Sequence, residues 1–260
     1  MIDLNAWLRE KAKKTEAGVT YLSDPQRFTE FEDLFAKVQS KEGREYPDAT
    51  LRILPYVDAK DPLSGEWEMR QQSLYSFLRF VGTKPLPANL LDVGCGTGWF
   101  SAFLAKINGM NVYAVDVQKK AMEQGAKVFK LDRLHFVYGD IFEDIFPEKS
   151  FPLITLSGSI QYFDNLEKLI NRMFYFLEPG GEIHIVDSPL DSKSGDPGSI
   201  KKTQKVYDAL GLSGMSKFHF HHGWDAIEKR KHTVMYKPKG GLSKMFGKKE
   251  NPLCWVRILT

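Results

Sequence analysis

Leu90-Leu91-Asp92-Val93-Gly94-Cys95-Gly96-Thr97-Gly98-Trp99-Phe100 decides how this chain is read. Residues 90–93 are mostly apolar, as in a strand covered on both faces, and Pro87 and Asn89 mark its start. Three glycines at alternate positions then permit a sharp turn and bring bare backbone within contact distance of a ligand. Phe100, Phe103, Leu104 and Ile107 follow at helical spacing. A helix opening behind such a turn aims its free N–H groups at whatever the turn holds. Strand, turn and helix together imply an α/β sheet with a nucleotide-type ligand at its edge.

The glycine spacing narrows the ligand. A dinucleotide fingerprint needs G-x-G-x-x-G, its third glycine allowing close helix packing. Here the spacing is G-x-G-x-G, and Trp99 stands where that third glycine would sit. The D-x-G-x-G-x-G form, with Asp92 two places before Gly94, resembles the first motif of the class I S-adenosylmethionine-dependent methyltransferases (type 11-like). The resemblance implies a Rossmann-like, seven-stranded α/β sheet, mostly parallel, with an antiparallel C-terminal hairpin and added N-terminal helices. It also implies S-adenosylmethionine as cofactor and S-adenosylhomocysteine as product. Asp92, Gly94, Cys95, Gly96 and Gly98 would then form the turn that cradles the methionine half.

The next strands extend the pattern. Val112 to Asp116 reads as a strand ending in an acid 22 positions after Gly94. A carboxylate at that tip, with Val117 beside it, can accept the ribose hydroxyls of an adenosine; its plainer role is to cap a helix over 118–130. Leu134 to Tyr138 reads as a third strand, followed by Gly139-Asp140-Ile141. The resemblance places Asp140 at the adenine amino group and Ile141 against the ring. A fourth strand, 153–156, runs into Ser157-Gly158-Ser159-Ile160-Gln161-Tyr162-Phe163. That loop lies at the switch point of a doubly wound sheet, where ligands bind, and Ser157 is expected on the cofactor. A helix over 164–176 and the Leu177-Glu178-Pro179-Gly180-Gly181 turn lead to a fifth strand, 182–187. The resemblance covers residues 66–190 well and the tail more loosely. The tail, through Asn251-Pro252-Leu253-Cys254-Trp255, is similar to a bacterial small-substrate subgroup.

Composition sets limits. The 260 residues, 42% hydrophobic, suffice for one large α/β core with a small appendage. No run approaches the ~18–20 apolar residues of a membrane span, and the first residues lack a signal-peptide layout. Two cysteines, Cys95 and Cys254, form no C-x-x-C pair, so neither a disulfide framework nor a zinc site is expected. A cytoplasmic protein is the resulting expectation. The net charge of +3 conceals an excess of +5 between Gly223 and Glu250.

The chain is expected to divide into a helical or irregular extension, 1–65, and a cofactor-binding domain, 66–260. Leu4, Trp7 and Leu8 fit a short amphipathic helix. Phe28, Phe31, Leu34, Phe35 and Val38 fit a second, capped by Ser23 or Asp24 with Pro25 in its first turn. Such aromatic spacing means core or a docking face, with a lid over the substrate pocket as the alternative. A third helix, 66–81, buries Trp67, Leu74, Phe77, Leu78 and Val81 and carries Arg70. Arg70 could meet the methionine carboxylate or simply form a surface ion pair. Phe218-His219-Phe220-His221-His222 holds half of the six histidines. No acid lies near it in sequence, so no metal is expected, and a substrate-contacting or basic His is weighed against a structural cluster.

The expected function is methyl transfer to an O, N or C nucleophile of a small molecule by in-line displacement, with Tyr162 and His221 as candidate catalytic groups. A positioned His or Tyr that removes the acceptor's proton contributes ~10²–10⁴ in rate. Nucleic-acid methylation through the basic 229–249 segment is the rival enzyme reading. Against it, no Asn/Asp-Pro-Pro-aromatic or Pro-Cys signature occurs. The basic loop 237–250 is read as a solvated hairpin, with an anionic substrate or carrier as its alternative contact. A cofactor-binding protein without catalysis is the reading from a different class, and the glycine spacing disfavours a NAD-linked dehydrogenase.

Overall fold

The computed structural model describes residues 3–86, 88–238 and 251–259. It opens with α1 (Leu4–Lys11) and a tight hairpin of β1 (Lys14–Glu16) and β2 (Val19–Tyr21). A 3-10 turn, Pro25–Phe28, leads into α2 (Thr29–Lys41), followed by α3 (Asp48–Ile53) and α4 (Ser64–Val81). The alternating part then runs β3 (Ala88–Val93), α5 (Trp99–Ala105), β4 (Met110–Asp116), α6 (Lys119–Val128), β5 (Leu134–Tyr138), β6 (Phe151–Ser157), α7 (Leu166–Phe176) and β7 (Leu177–Ser188). After α8 (Pro197–Ala209) come β8 (His232–Tyr236) and β9 (Cys254–Leu259).

These strands form one sheet in the order β1-β2-β5-β4-β3-β6-β7-β9-β8. Six neighbours, β2 through β7, run parallel, while β1, and β9 against both β7 and β8, pair antiparallel. The expected parallel sheet and C-terminal hairpin are present. Among the described residues the strand count is nine rather than seven, because β1 and β2 extend the far edge. The 1–65 extension, expected to be helical or irregular, thus contributes strands. Three-residue strands are shorter than the window in which an alternating pattern can be recognised. Leu4 and Leu8 are also buried in the core, so the boundary at residue 65 does not follow the sheet.

β3 lies at the centre, and every one of its residues is buried. Successive side chains of a strand point to opposite faces. Leu91 and Val93 accordingly pack with Ile154, Leu156 and Leu169 on one face, and Leu90 with Phe77 and Val112 on the other. Fully burying such a side chain contributes about 1.5–3 kcal/mol. α4 supplies Trp67, Leu74, Phe77 and Val81 to the second face, as its spacing predicts. Leu177 already pairs with Phe151, and a register shift carries the Pro-Gly-Gly segment into β7. A third, smaller cluster joins α2 to α8 through Val38, Tyr207 and Met215, with Phe31, Phe35, Tyr162 and Phe218 packed on it.

The order reverses between β3 and β6. The loops after β3, β4, β5 and β6 all leave the carboxyl ends of parallel strands that flank that reversal, where open α/β sheets hold ligands. No helix among the described residues is long and apolar enough to cross a membrane.

Candidate active site

Those four loops line one cavity of ≈ 920 Å³, large for a single small ligand and sufficient for a cofactor with its partner. Gly94, Cys95, Gly96 and Thr97 form one wall, Asp116 and Val117 a second, Asp140 and Ile141 a third, and Ser157 to Ser159 with Tyr162 a fourth. Arg70 of α4 closes one side.

The turn after β3 needs glycine at its first position. Gly94 has φ +74°, and a Cβ there would lie 2.4 Å from Cβ of Ser159. Ser159 is fixed by donating its hydroxyl to the carbonyl of Val93 at 2.8 Å. The loops after β3 and β6 are therefore in contact backbone to side chain, and the cavity opens beside that contact.

Asp116 is half-buried at the tip of β4. Its Oδ1 accepts from the N–H groups of Val117 (2.7 Å) and Gln118 (2.9 Å), and its Oδ2 from Gly96 (2.6 Å). Burial raises its pKa, and the three N–H donors pull it back part of the way. A carboxylate offers about four acceptor positions, so three main-chain bonds orient it and leave capacity toward the cavity. The capping role and a ligand-facing role thus coexist in one side chain. Asp140 is oriented similarly: Oδ1 accepts from Phe142 N–H at 3.0 Å, and Oδ2 pairs with Arg27 at 3.2 Å.

Three expected residues stand apart from the lining. Asp92 is buried beneath the turn, where it accepts from the hydroxyls of Ser101 and of Thr155 (2.8 Å). It joins β3, β6 and α5, and burial pushes its pKa up to about 6. Gly98 caps α5 in a left-handed conformation and packs on Phe136. His221 lies outside the lining, with Nδ1 3.4 Å from Asp191. The histidine that reaches the cavity is His219.

Phe31 and Phe35 of α2, read as a core or docking face with a pocket lid as the alternative, line the cavity, and Tyr207 and Phe218, which the sequence reading did not single out for the site, line it too. The aromatic stripe on α2 was the available signal, but periodicity does not distinguish a core face from a pocket wall. Trp99, at the position that excludes a dinucleotide glycine, packs edge-on against Trp67 at 5.3 Å. Trp67 in turn donates to the Tyr46 hydroxyl at 2.7 Å. Arg70 donates to Glu66 at 2.9 Å, and Glu66 also receives a bidentate pair of 2.8 Å bonds from Arg44. The expected salt bridge of Arg70 exists, on the cavity wall. The basic loop lies outside the described residues from 239 to 250.

Residues 90–181, the stretch that builds this cavity floor, match a family described as a methyltransferase domain. A malonyl-[acyl-carrier protein] O-methyltransferase of Priestia megaterium is 30% identical over 95 residues, 36% of this chain and 34% of that protein. The 27-O-demethylrifamycin SV methyltransferase of Amycolatopsis mediterranei is 30% identical over 156 residues, 56% and 57% of the two chains. These matches span between about a third and a little over half of the curated relatives' length. The solved phosphoethanolamine N-methyltransferase 2 of Haemonchus contortus, in complex with S-adenosyl-L-methionine, superposes with a TM-score of 0.51 at 18% identity. It covers 73% of this chain and 51% of that one, a likeness of fold.

The residues that line the cavity fit S-adenosylmethionine. The glycine turn offers close backbone approach, Asp116 is an oriented acceptor at a strand tip, and Ile141 is an apolar wall beside Asp140. Arg70 is the cation nearest Gly158, its Nη1 3.3 Å from where a Cβ would be.

Proposed function

We propose that this protein transfers the methyl group of S-adenosylmethionine to an O, N or C nucleophile of a small molecule. When bound, the sulfonium cofactor supplies an already activated methyl group. The chain's own task is therefore to hold two reactants collinear and dry, which can lower a barrier by about 7–11 kcal/mol.

In this reading Asp116 accepts the ribose hydroxyls, Asp140 and Ile141 meet the adenine, and Arg70 meets the methionine carboxylate. Gly94, Cys95, Gly96 and Ser157 shape the turn around the methionine half. Tyr162 stands where this half ends and the aromatic part of the cavity begins. Burial raises the pKa of its phenol, so Tyr162 holds its proton at neutral pH and serves as a donor or a wall.

One observation carries the reading: the glycine turn, Asp116 and an aromatic chamber all line the same cavity. That supports a cofactor and an acceptor bound side by side. Calorimetric titration with S-adenosylmethionine, S-adenosylhomocysteine and NAD tests it. Micromolar binding of the first two and none of the third is expected. Binding of NAD alone, or of none of them, would sink the assignment, and binding without turnover on any metabolite pool would favour a non-catalytic role.

A further inference from the structure

The end of the cavity beyond Tyr162 has a chemistry of its own. Tyr162 stands edge-on to Phe35, ring centroids 5.2 Å apart at 87°. Phe31 lies 5.9 Å from Tyr162 and 5.4 Å from Phe218. His219 completes the wall, 5.8 Å from both Tyr162 and Tyr207. Large flat rings favour flat ligands, which they meet by offset stacking or edge contacts.

Charge narrows the occupant. Arg44, Arg70 and Lys120 are the cations lining the cavity among the described residues. Arg44 is engaged by Glu42 at 2.7 Å and by both oxygens of Glu66, and Arg70 by Glu66. Lys120 belongs to α6. An anion pushed into the aromatic end would lose its hydration without a counter-charge. An ammonium acceptor would share the cavity with the sulfonium, and like charges at short range repel. A neutral molecule avoids both costs.

His219 supplies the polar atom. Its Nδ1 is 2.8 Å from the hydroxyl of Tyr207, and Nε2 makes no hydrogen bond among the described residues. The segment is anchored to the loop after β6 by the N–H of Phe220, which donates to the carbonyl of Gln161 at 2.7 Å. Burial, with smaller effects of His221 and His222, lowers the imidazole pKa to about 4, so the ring is uncharged at neutral pH. A neutral imidazole can accept a proton, and a phenol gives up its hydroxyl proton more readily than an alcohol does.

Resting on the methyl-transfer reading above, we infer that the acceptor is a neutral, planar hydroxyl compound of the phenol class, held between these rings with its hydroxyl on Nε2 of His219. With Nδ1–H directed at the Tyr207 oxygen, Nε2 offers its lone pair and takes the hydroxyl proton. The acceptor oxygen bonds to the methyl carbon as the carbon–sulfur bond breaks, its electron pair staying on sulfur. The products are an aryl methyl ether, neutral S-adenosylhomocysteine and a proton that leaves His219 for water. His219 is thus a catalytic residue and Tyr207 a positioning residue.

The test uses the full chain, S-adenosylmethionine, and three acceptors: 2-naphthol, phenylethylamine and benzoate, with release of S-adenosylhomocysteine as readout. The phenol is expected to be methylated, and the amine and acid not. His219→Gln should lower kcat on 2-naphthol by about 10²-fold or more with KM and S-adenosylhomocysteine affinity unchanged. Tyr207→Phe keeps the ring packing and should show the same loss confined to kcat, smaller in size, and serves if His219→Gln does not fold. A loss carried by KM with kcat unchanged would make His219 a packing residue and overturn its role. Turnover of the amine or acid instead of the phenol would overturn the acceptor class. Failure to bind either sulfur nucleoside would strike the methyl-transfer reading itself.

Discussion

Oδ2 of Asp116 accepts a hydrogen bond from the backbone N–H of Gly96 at 2.6 Å. The tip of β4 thus grips the glycine turn that follows β3, and the cavity wall on one strand is set by a side chain of the next. Parallel pairing of β3 with β4, Val93 opposite Val115, brings the two ends level.

Asp116→Ala should weaken S-adenosylhomocysteine binding by about 1–3 kcal/mol, the range for losing charge-assisted hydrogen bonds. Calorimetry on the folded variant measures it. An unchanged affinity would remove Asp116 from the ribose site and leave it as the clasp of the turn.

Gly94→Ala and Gly96→Ala separate crowding from backbone strain. Both glycines have positive φ, but a Cβ at 94 collides with Ser159 while one at 96 meets nothing within 4 Å. Strain of this kind costs about 1–3 kcal/mol, and overpacking a further 1–3 kcal/mol. Thermal unfolding should therefore show a clearly lower Tm for Gly94→Ala than for Gly96→Ala. Equal Tm values would mean that the contact between the β3 and β6 loops yields easily.

Acid should loosen the Glu66 network. Burial by itself would raise the pKa of Glu66, but the Arg44 hydrogen bonds and the charges of Arg70 and Arg44 outweigh it and hold it at about 2. A depressed carboxyl pKa stabilises the fold fully above the ordinary value of 4.5 and loses that contribution as pH falls toward 2. The contribution is on the order of 2 kcal/mol. Glu66→Gln should lower stability at pH 7 and flatten the fall between pH 4.5 and 2, as denaturant titrations at several pH values would show.

Asp92 should act with the opposite sign. Its pKa, pushed up to about 6 by burial against an ordinary 3.8, makes the ionised form a penalty that is complete above pH 6. The penalty disappears as pH falls from 6 toward 3.8. Asp92→Asn keeps the shape and removes the ionisation, so it should lack the wild-type gain in stability over that interval. The same titrations decide it, and an identical pH profile in the variant would show that Asp92 is not ionised in the fold at pH 7.

Much of the frame was legible because it rests on local rules. The strand, glycine turn and helix at 90–105 follow from an apolar run, positive-φ positions and a helical stripe. Asp116 and Asp140 were found by their place after a strand. Asp92 was expected at the turn because one-dimensional spacing puts it there, whereas alternation along β3 sends it under the turn, into Ser101 and Thr155. His221 was preferred to His219 on equally local grounds. The two rings lie 5.2 Å apart, and the extended segment sends one to Asp191 and the other to the cavity.

The sequence by itself determined the α/β class, the succession of parallel strands and the position of the glycine turn, because these depend on neighbours within a few residues. Only the tertiary structure decided that a hairpin at 14–21 would join the sheet beside β5. It alone brought α2 and α8 together as the aromatic end of the cavity and left His219 facing it. Those choices depend on contacts between residues up to about two hundred positions apart, such as Glu30 with Lys217, and no local pattern encodes which distant surface will close against which.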